Sequence, residues 1–236
     1  MKMILSPRIS DLDQCPYLKE EMEQHEFFFS SELNDTELDF LLERGWRKFG
    51  QFIFRPLCPN CQKCIPIRVD LKKFKLTKNQ SKFLKRKHNK GLQVKFSPLL
   101  YRQKHFEIYR LHGQNRFVDS IDATIIDNEL LFKETFYRFT GTQLLSEVFF
   151  DNKLIAFGIL EQSQNALSSV YFCYDPQFEK MSLGHLGALA EIMHAKNMGL
   201  DYYYLGYWIE ENEFMKYKSR YTPYQLYDWS SKSWES

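Results

Sequence analysis

Apolar positions along this chain alternate with polar ones in some stretches and recur every three or four residues in others, and the two periods mark out its elements. The first 34 residues follow neither period, and Phe27-Phe28-Phe29 stands there as an apolar anchor. Over residues 35–44, Leu38, Leu41 and Leu42 share one side of a short helix, which Asn34 or Asp35 caps and Gly45 closes. Residues 50–55 alternate around Phe52-Ile53-Phe54 and predict a strand that Pro56 ends. A second strand is predicted over 65–71, a basic helix over 78–90 ended by Gly91, and a strand over 92–96. Ser97-Pro98 then reads as a domain boundary.

Beyond it, residues 99–115 predict a helix with Leu100, His105, Ile108, Tyr109 and Leu111 on its apolar side. Residues 116–142 are ambiguous, apart from a helix around 130–139. A meander follows: strands over 143–150 and 154–161 flank the turn Asp151-Asn152-Lys153, and a third covers 167–174 before Asp175-Pro176. Ser182 is positioned to cap a helix running to Asn197 or Met198, with Gly199 just past its end. Strands are expected over 202–207 and 224–227. The fold class is therefore α+β, with a small Cys-rich domain over 1–97 and a second domain over 98–236 built on a mixed, largely antiparallel sheet. Three antiparallel strands, a helix and a buried strand follow the order of a GNAT acyltransferase core, an analogy of fold only. Acetyl-CoA members of that fold carry a Gly-rich pyrophosphate loop before the helix. Lys180-Met181-Ser182-Leu183-Gly184-His185-Leu186-Gly187 matches it poorly, so acetyl-CoA is not expected.

Composition changes the picture in three ways. With 17% aromatic residues among 236, much of the core area must come from Phe and Tyr. No run approaches the roughly 20 apolar residues of a membrane helix, and the first residues lack a signal peptide's apolar run, so a cytoplasmic protein with no membrane partner is expected. The charge is uneven. Residues 71–106 hold twelve Lys or Arg and no acid, so this window carries +12 in a chain of net +2 and the rest carries −10. Such a segment attracts a polyanion, since Lys and Arg neutralise phosphates.

Five cysteines, an odd number with three in Cys58-Pro59-Asn60-Cys61-Gln62-Lys63-Cys64, argue for a metal site over a disulfide framework. Cys15, followed by Pro16, is the candidate fourth ligand. Zn²⁺ and a [4Fe–4S] cluster both take four thiolates, and the spacing does not choose between them. Cys173 reads as a small buried hydrophobe.

Longer motifs carry a resemblance. Arg44-Gly45-Trp46-Arg47-Lys48-Phe49-Gly50, Phe54-Arg55-Pro56, the CxxCxxC run, Ile67-Arg68-Val69 and Cys15-Pro16-Tyr17-Leu18 resemble the N-terminal region of the arginyl-tRNA–protein transferase family. Ser182-Leu183-Gly184, Tyr204-Leu205-Gly206-Tyr207-Trp208-Ile209 and Met215-Lys216-Tyr217-Lys218 resemble its C-terminal region. The CxxCxxC spacing looks like that of the bacterial aspartate/glutamate leucyltransferases. The resemblance implies two substrates: an aminoacyl-tRNA, leucyl-tRNA first and arginyl-tRNA second, and a protein beginning with Asp or Glu. It also implies that the product is recognised for proteolysis. An N-acetyltransferase using acetyl-CoA and a metal-containing RNA-binding module are the competing readings.

Under that resemblance the residues take roles. Lys78, Lys82, Lys85 and Arg86 fall on one side of a helix and suit tRNA phosphates. Ser182, Leu183 and Gly184 open a helix whose free N–H groups suit a phosphate near the tRNA 3′ end. Arg47, Arg55 and Arg68 are candidates to grip the acceptor's carboxylate. Tyr217 and Lys218 are expected to line the substrate pocket. Glu161, Tyr207 and Lys216 are the nominees for catalysis, with Glu161 as base or amine anchor.

Overall fold

The computed structural model describes residues 1–116, 126–138 and 140–236. The chain opens with β1 (Lys2–Ile9), the short hairpin β2 (Asp13–Gln14) and β3 (Met22–Glu23), and β4 (His25–Glu32). Helix α1 (Asp35–Leu42) carries a capping box, in which Asn34 Oδ1 accepts from Glu37 N and the Glu37 carboxylate accepts from Asn34 N. Next come β5 (Arg47–Phe49), β6 (Phe52–Pro56), β7 (Ile65–Asp70), α2 (Lys78–Asn89) and β8 (Leu92–Pro98). The second half holds α3 (Gln103–Arg116), α4 (Glu129–Phe136), β9 (Gln143–Phe150), β10 (Lys153–Gln162), β11 (Ala166–Tyr174), α5 (Leu183–Asn197), β12 (Tyr202–Trp208), β13 (Tyr224–Asp228) and β14 (Ser233–Glu235). Two 3₁₀ turns, Pro176–Met181 and Lys216–Arg220, precede α5 and β13.

The large sheet runs β14-β13-β7-β12-β11-β10-β9-β8, and the smaller one β1-β4-β6-β5. Every neighbouring pair of the large sheet is antiparallel except β11 with β12. Asp151 and Asn152 both take positive φ, the mirror-image turn that suits the twist of the β9–β10 hairpin. One face of the large sheet packs Ile67, Val69, Leu167, Tyr203 and Leu205 against Leu189, Ile192 and Ala195 of α5, with Phe83 and Leu84 of α2 alongside. The other face packs Leu145, Phe157, Ile159 and Cys173 against Phe106 and Ile108 of α3 and Phe132 and Phe136 of α4. Cys173 is the buried hydrophobe its sequence context suggests.

Three features differ from the sequence reading. The first 34 residues are not irregular: β1 and β4 pair with each other, and β4 also pairs with β6. Three consecutive phenylalanines conceal the period of two, because Phe28 is buried while Phe27 and Phe29 are only half covered. β1 is exposed along nearly its whole length, so backbone pairing holds it and no hydrophobic pattern marks it. β5 is hidden by Arg47 and Lys48, which look like surface residues yet are buried. The large sheet also runs through the boundary suggested at residues 97 and 98: these lie inside β8, and β7 is an interior strand between β12 and β13. Much of the ambiguous stretch 116–142, together with the predicted helical position 139, lies outside the described residues.

Candidate active site

The parallel pairing of β11 with β12 covers only Ala166↔Tyr202, Leu167↔Tyr203 and Ser168↔Tyr204. Past Ser168 and Tyr204 the strands part, and open sheets bind their ligands in such crevices at the carboxyl ends of parallel strands. A cleft of about 280 Å³ occupies this gap on the α5 side. Phe172, Leu183, Ala188 and Leu205 give it apolar walls, Ser169, Tyr203 and Glu191 a polar floor, and Glu179, Tyr217 and Arg220 a charged and aromatic rim.

The first turn of α5 forms one edge of the cleft. Ser182 occupies the N-cap position in a left-handed conformation (φ 53°), and its side chain makes no capping bond. This differs from the expected serine cap. A left-handed serine is strained, and it leaves the first-turn N–H groups of Gly184 and His185 without the hydroxyl partner a cap supplies. A Cβ on Gly184 would meet nothing within 4 Å, so the helix end is open to a ligand. His185 stacks on Tyr221 and shares a 2.9 Å hydrogen bond with its hydroxyl; burial, then the Arg220 and Lys87 charges, lower its pKa.

Glu191 is the residue that sequence reasoning missed. It is 1% exposed at the cleft floor, where its carboxylate accepts from Ser146 Oγ at 2.5 Å and from the Tyr203 hydroxyl, with Ser169 as a further donor. Burial pushes it up to about 7 against the pull of those three hydroxyls. Its signal was present: a lone acid in the apolar run Ala188-Leu189-Ala190-Glu191-Ile192 must be buried and must find donors.

The basic helix lies beside this cleft. Phe83 of α2 packs on His185 with ring centroids 4.7 Å apart, and the Lys87 ammonium donates to the Met181 carbonyl at the approach to α5. Thr77 and Gln80 cap α2 with a capping box. Lys78, Lys82, Lys85 and Arg86 are all exposed, and none has an ion-pair partner among the described residues.

The other nominated residues separate. Tyr217 reaches the rim of the cleft. Lys218 Nζ donates to the Tyr207 carbonyl at 2.5 Å. A Cβ on Gly206 would lie 3.6 Å from an Arg47 guanidinium nitrogen and 3.7 Å from Lys218 Nζ, so the two cations converge there. Arg47 is buried on the opposite face of the β11–β12 gap, donating to Ser168 Oγ at 2.9 Å and to the Ser169 carbonyl. Burial lowers its pKa, against the pull of Tyr207 and Glu161. Arg55 is committed to Glu26 through two nitrogens. Arg68 lies between the rings of Tyr202 and Trp234, 3.6 and 4.2 Å from their centroids, and donates to Tyr204 and Gln225. Glu161 is sealed away from the cleft in an ion pair with Lys48, both nearly fully buried. Tyr207 packs on Phe54 and donates to the Gly45 carbonyl at 2.9 Å, so its hydroxyl points away from the cleft floor. Lys216 pairs with Glu213 at the surface.

Cys15 is buried beside the β2–β3 hairpin, while Cys58, Cys61 and Cys64 line the loop after β6. Burial pushes the Cys64 thiol up to about 12, and the charges of Cys15, Cys58 and Cys61 add to this, so the four sulfurs share one neighbourhood. Their donor chemistry suits a soft metal centre, although among the described residues no three His, Cys, Asp or Glu side chains are set as ligands of one ion. No described helix is long and apolar enough to cross a membrane.

Comparison with known proteins shows the family. Residues 13–82 match a family model described as arginine-tRNA-protein transferase, N terminus, and residues 80–228 match its C terminus. The aspartate/glutamate leucyltransferase of Helicobacter hepaticus is 32% identical over 221 residues, covering 92% of this chain and 90% of that protein. The protein of the same name from Thiobacillus denitrificans is 36% identical over 186 residues, covering 78% and 75%. A crystal structure of FemX superposes with a TM-score of 0.55 at 11% identity, over 94% of this chain and 86% of that one. L-PGS from Bacillus licheniformis gives a TM-score of 0.51 at 13% identity, over 85% and 67%. These structural likenesses concern the fold alone.

Proposed function

The chain belongs to the arginine-tRNA-protein transferase family, and from that premise we propose that it moves leucine from leucyl-tRNA onto proteins beginning with aspartate or glutamate. It is an aminoacyltransferase. Arginyl-tRNA is the second candidate donor, but apolar walls with the Arg220 cation at the rim suit an isobutyl group better than a guanidinium. The product is a protein marked for degradation, and the cytoplasm, where charged tRNA is found, is its working compartment.

One observation carries this reading: α2, whose solvent face carries exposed cations with no ion-pair partner among the described residues, packs through Phe83 and Lys87 beside the start of α5, which borders the cleft. Lys78, Lys82, Lys85 and Arg86 follow the tRNA backbone, and the N–H groups at Ser182–Gly184 hold a phosphate near its 3′ end. The aminoacyl ester then enters the cleft. Arg47 and Lys218, converging at Gly206, hold the carboxylate of the acceptor's first residue. The ester is already activated, so holding it against the α-amine supplies most of the acceleration, up to roughly 7–11 kcal/mol for well-oriented partners.

The test is transfer of radiolabelled leucine or arginine from charged tRNA to peptides beginning with Asp, Glu or Ala. Leucine should pass to the two acidic peptides and not to the third. Consumption of acetyl-CoA with no use of acylated tRNA would overturn the assignment.

Cys15, Cys58, Cys61 and Cys64 are the proposed holders of Zn²⁺ or an iron–sulfur cluster. Such a centre would tie the β2–β3 hairpin to the loop after β6. Elemental analysis of anaerobically purified protein should find one of the two metals, and Cys58→Ser or Cys61→Ser should lose it.

A further inference from the structure

The floor of the cleft contains a carboxylate whose surroundings are unusual for a residue so well hidden. Ser146 comes from β9, Ser169 from β11 and Tyr203 from β12, and all three direct hydroxyls at Glu191 of α5. Gly158 of β10 leaves the room: a Cβ there would lie 2.5 Å from Ser146 Oγ and 2.6 Å from Glu191 Oε1. Four strands and a helix thus build one cradle. Among the described residues no cation lies within ion-pair distance of this carboxylate, in contrast to Glu161 with Lys48. A carboxylate buried purely for stability is normally paired with a cation or replaced by an apolar side chain. This one instead borders an open cleft beside the polar hydroxyls of Ser169 and Tyr203.

Accepting the cleft as the transfer site, as argued above, we propose that Glu191 is the catalytic base, removing a proton from the α-ammonium of the acceptor protein, with Ser146, Ser169 and Tyr203 as its positioning residues. The ammonium gives one proton to the Glu191 carboxylate and becomes an amine. Its lone pair forms the C–N bond to the ester carbonyl carbon. The bond from that carbon to the terminal ribose oxygen of the tRNA then breaks. The second proton leaving nitrogen goes to this oxygen and restores the ribose hydroxyl, while the third stays on the new amide. Glu191 afterwards releases its proton to water.

The energetics suit the step. An α-ammonium has a pKa of about 7.7–8.0. A carboxyl pushed up to about 7 takes its proton at a disadvantage of roughly tenfold, whereas an ordinary glutamate would face roughly a thousandfold or more. The other titratable or charged groups facing this site are Tyr203 on β12, Tyr217, Arg220 and Tyr221 in and after the second 3₁₀ turn, His185 on α5, and Glu179 on the rim. Burial raises both Tyr203 and Tyr221, so neither ionises near neutrality. Burial also lowers His185, so it stays neutral there.

The experiment is single-turnover leucine transfer from leucyl-tRNA to an Asp-initiated peptide between pH 6 and 9, with wild type and Glu191→Gln. Glutamine retains the size, its oxygen still accepts from one hydroxyl, and its amide N–H can donate to the oxygen of the other. Wild type should rise through an acid limb near pH 7. The variant should be slower by roughly 10²–10⁴-fold at pH 7.5. Its rate should then climb until the acceptor amine is neutral by itself, narrowing the deficit towards pH 9. A variant within about threefold of wild type, or one equally slow at every pH, would overturn the proposal and leave Glu191 a structural acid. Should Glu191→Gln fail to fold, Tyr203→Phe carries the test: losing one donor to the carboxylate should move the acid limb to higher pH, and an unmoved limb overturns the proposal. A wild type that transfers no leucine condemns the assignment of the cleft, whereas an active wild type with an unaffected variant condemns only the role of Glu191.

Discussion

The two faces of the large sheet treat charge in opposite ways. Under α1 and the small sheet, Lys48 is paired with Glu161, Arg55 with Glu26, and Arg68 is stacked between Tyr202 and Trp234. On the α2 and α5 side, Lys78, Lys82, Lys85 and Arg86 stand in solvent and, among the described residues, no carboxylate pairs with them and no cation pairs with the buried Glu191, which is held by hydroxyls. Glu161 and Glu191 are almost equally hidden, at 2% and 1% exposure. One is neutralised from within the fold, and the other faces a cleft. Charges satisfied internally hold a structure together, whereas charges left without a counter-charge are available to a ligand.

The strongest attack on that contrast is Lys48→Met, which removes the ion-pair partner of the buried Glu161. It should destabilise the protein by roughly 3–5 kcal/mol, and the pair Lys48→Met with Glu161→Leu should recover most of it, as chemical denaturation can measure. If the single and double variants are equally unstable, the pair is not what matters at that site.

Glu191 should show itself in the pH dependence of stability. Its folded pKa is raised from 4.5 to about 7, so its contribution is fully present below pH 4.5 and is lost as pH rises through 7. Wild type should therefore lose roughly 3 kcal/mol across that window relative to Glu191→Gln. Parallel stability curves for the two proteins would contradict the raised pKa.

Reversing Lys82, Lys85 and Arg86 to Glu should leave folding intact and weaken tRNA binding. Three lost phosphate contacts flatten the plot of log affinity against log salt by about two to three, equivalent to roughly 2 kcal/mol between 50 and 200 mM salt. An unchanged slope would remove α2 from the tRNA site. Lys216→Ala gives the smallest effect: its partner Glu213 is 77% exposed, so the melting temperature should reflect less than about 0.5 kcal/mol.

Much of this was legible without the fold. Local periodicity located α1, α2, the β9–β11 meander and α5, because each buries one stripe or one face, and the three helices close on Gly45, Gly91 and Gly199 at positive φ. The motifs of both halves marked the family, and the run of twelve cations marked a strongly basic segment, since neither depends on what lies next to it in space. β1 and β4 were not legible, being held by backbone pairing and by a phenylalanine triplet that erases its own alternation. Among three similar arginines, sequence offered no means of ranking Arg47, Arg55 and Arg68; only their neighbours separate them.

Sequence by itself determined the chemistry available to this protein: a basic helix, three closely spaced thiols with Cys15 as a candidate fourth, and a family. Tertiary structure alone decided which carboxylate faces the cleft. Glu161 and Glu191 are the same side chain, both buried, and the residues around each in the chain do not name its partner. Whether such a group meets an ammonium or three hydroxyls depends on residues from 12 to 113 positions away in the chain, and charge interactions follow distance in space.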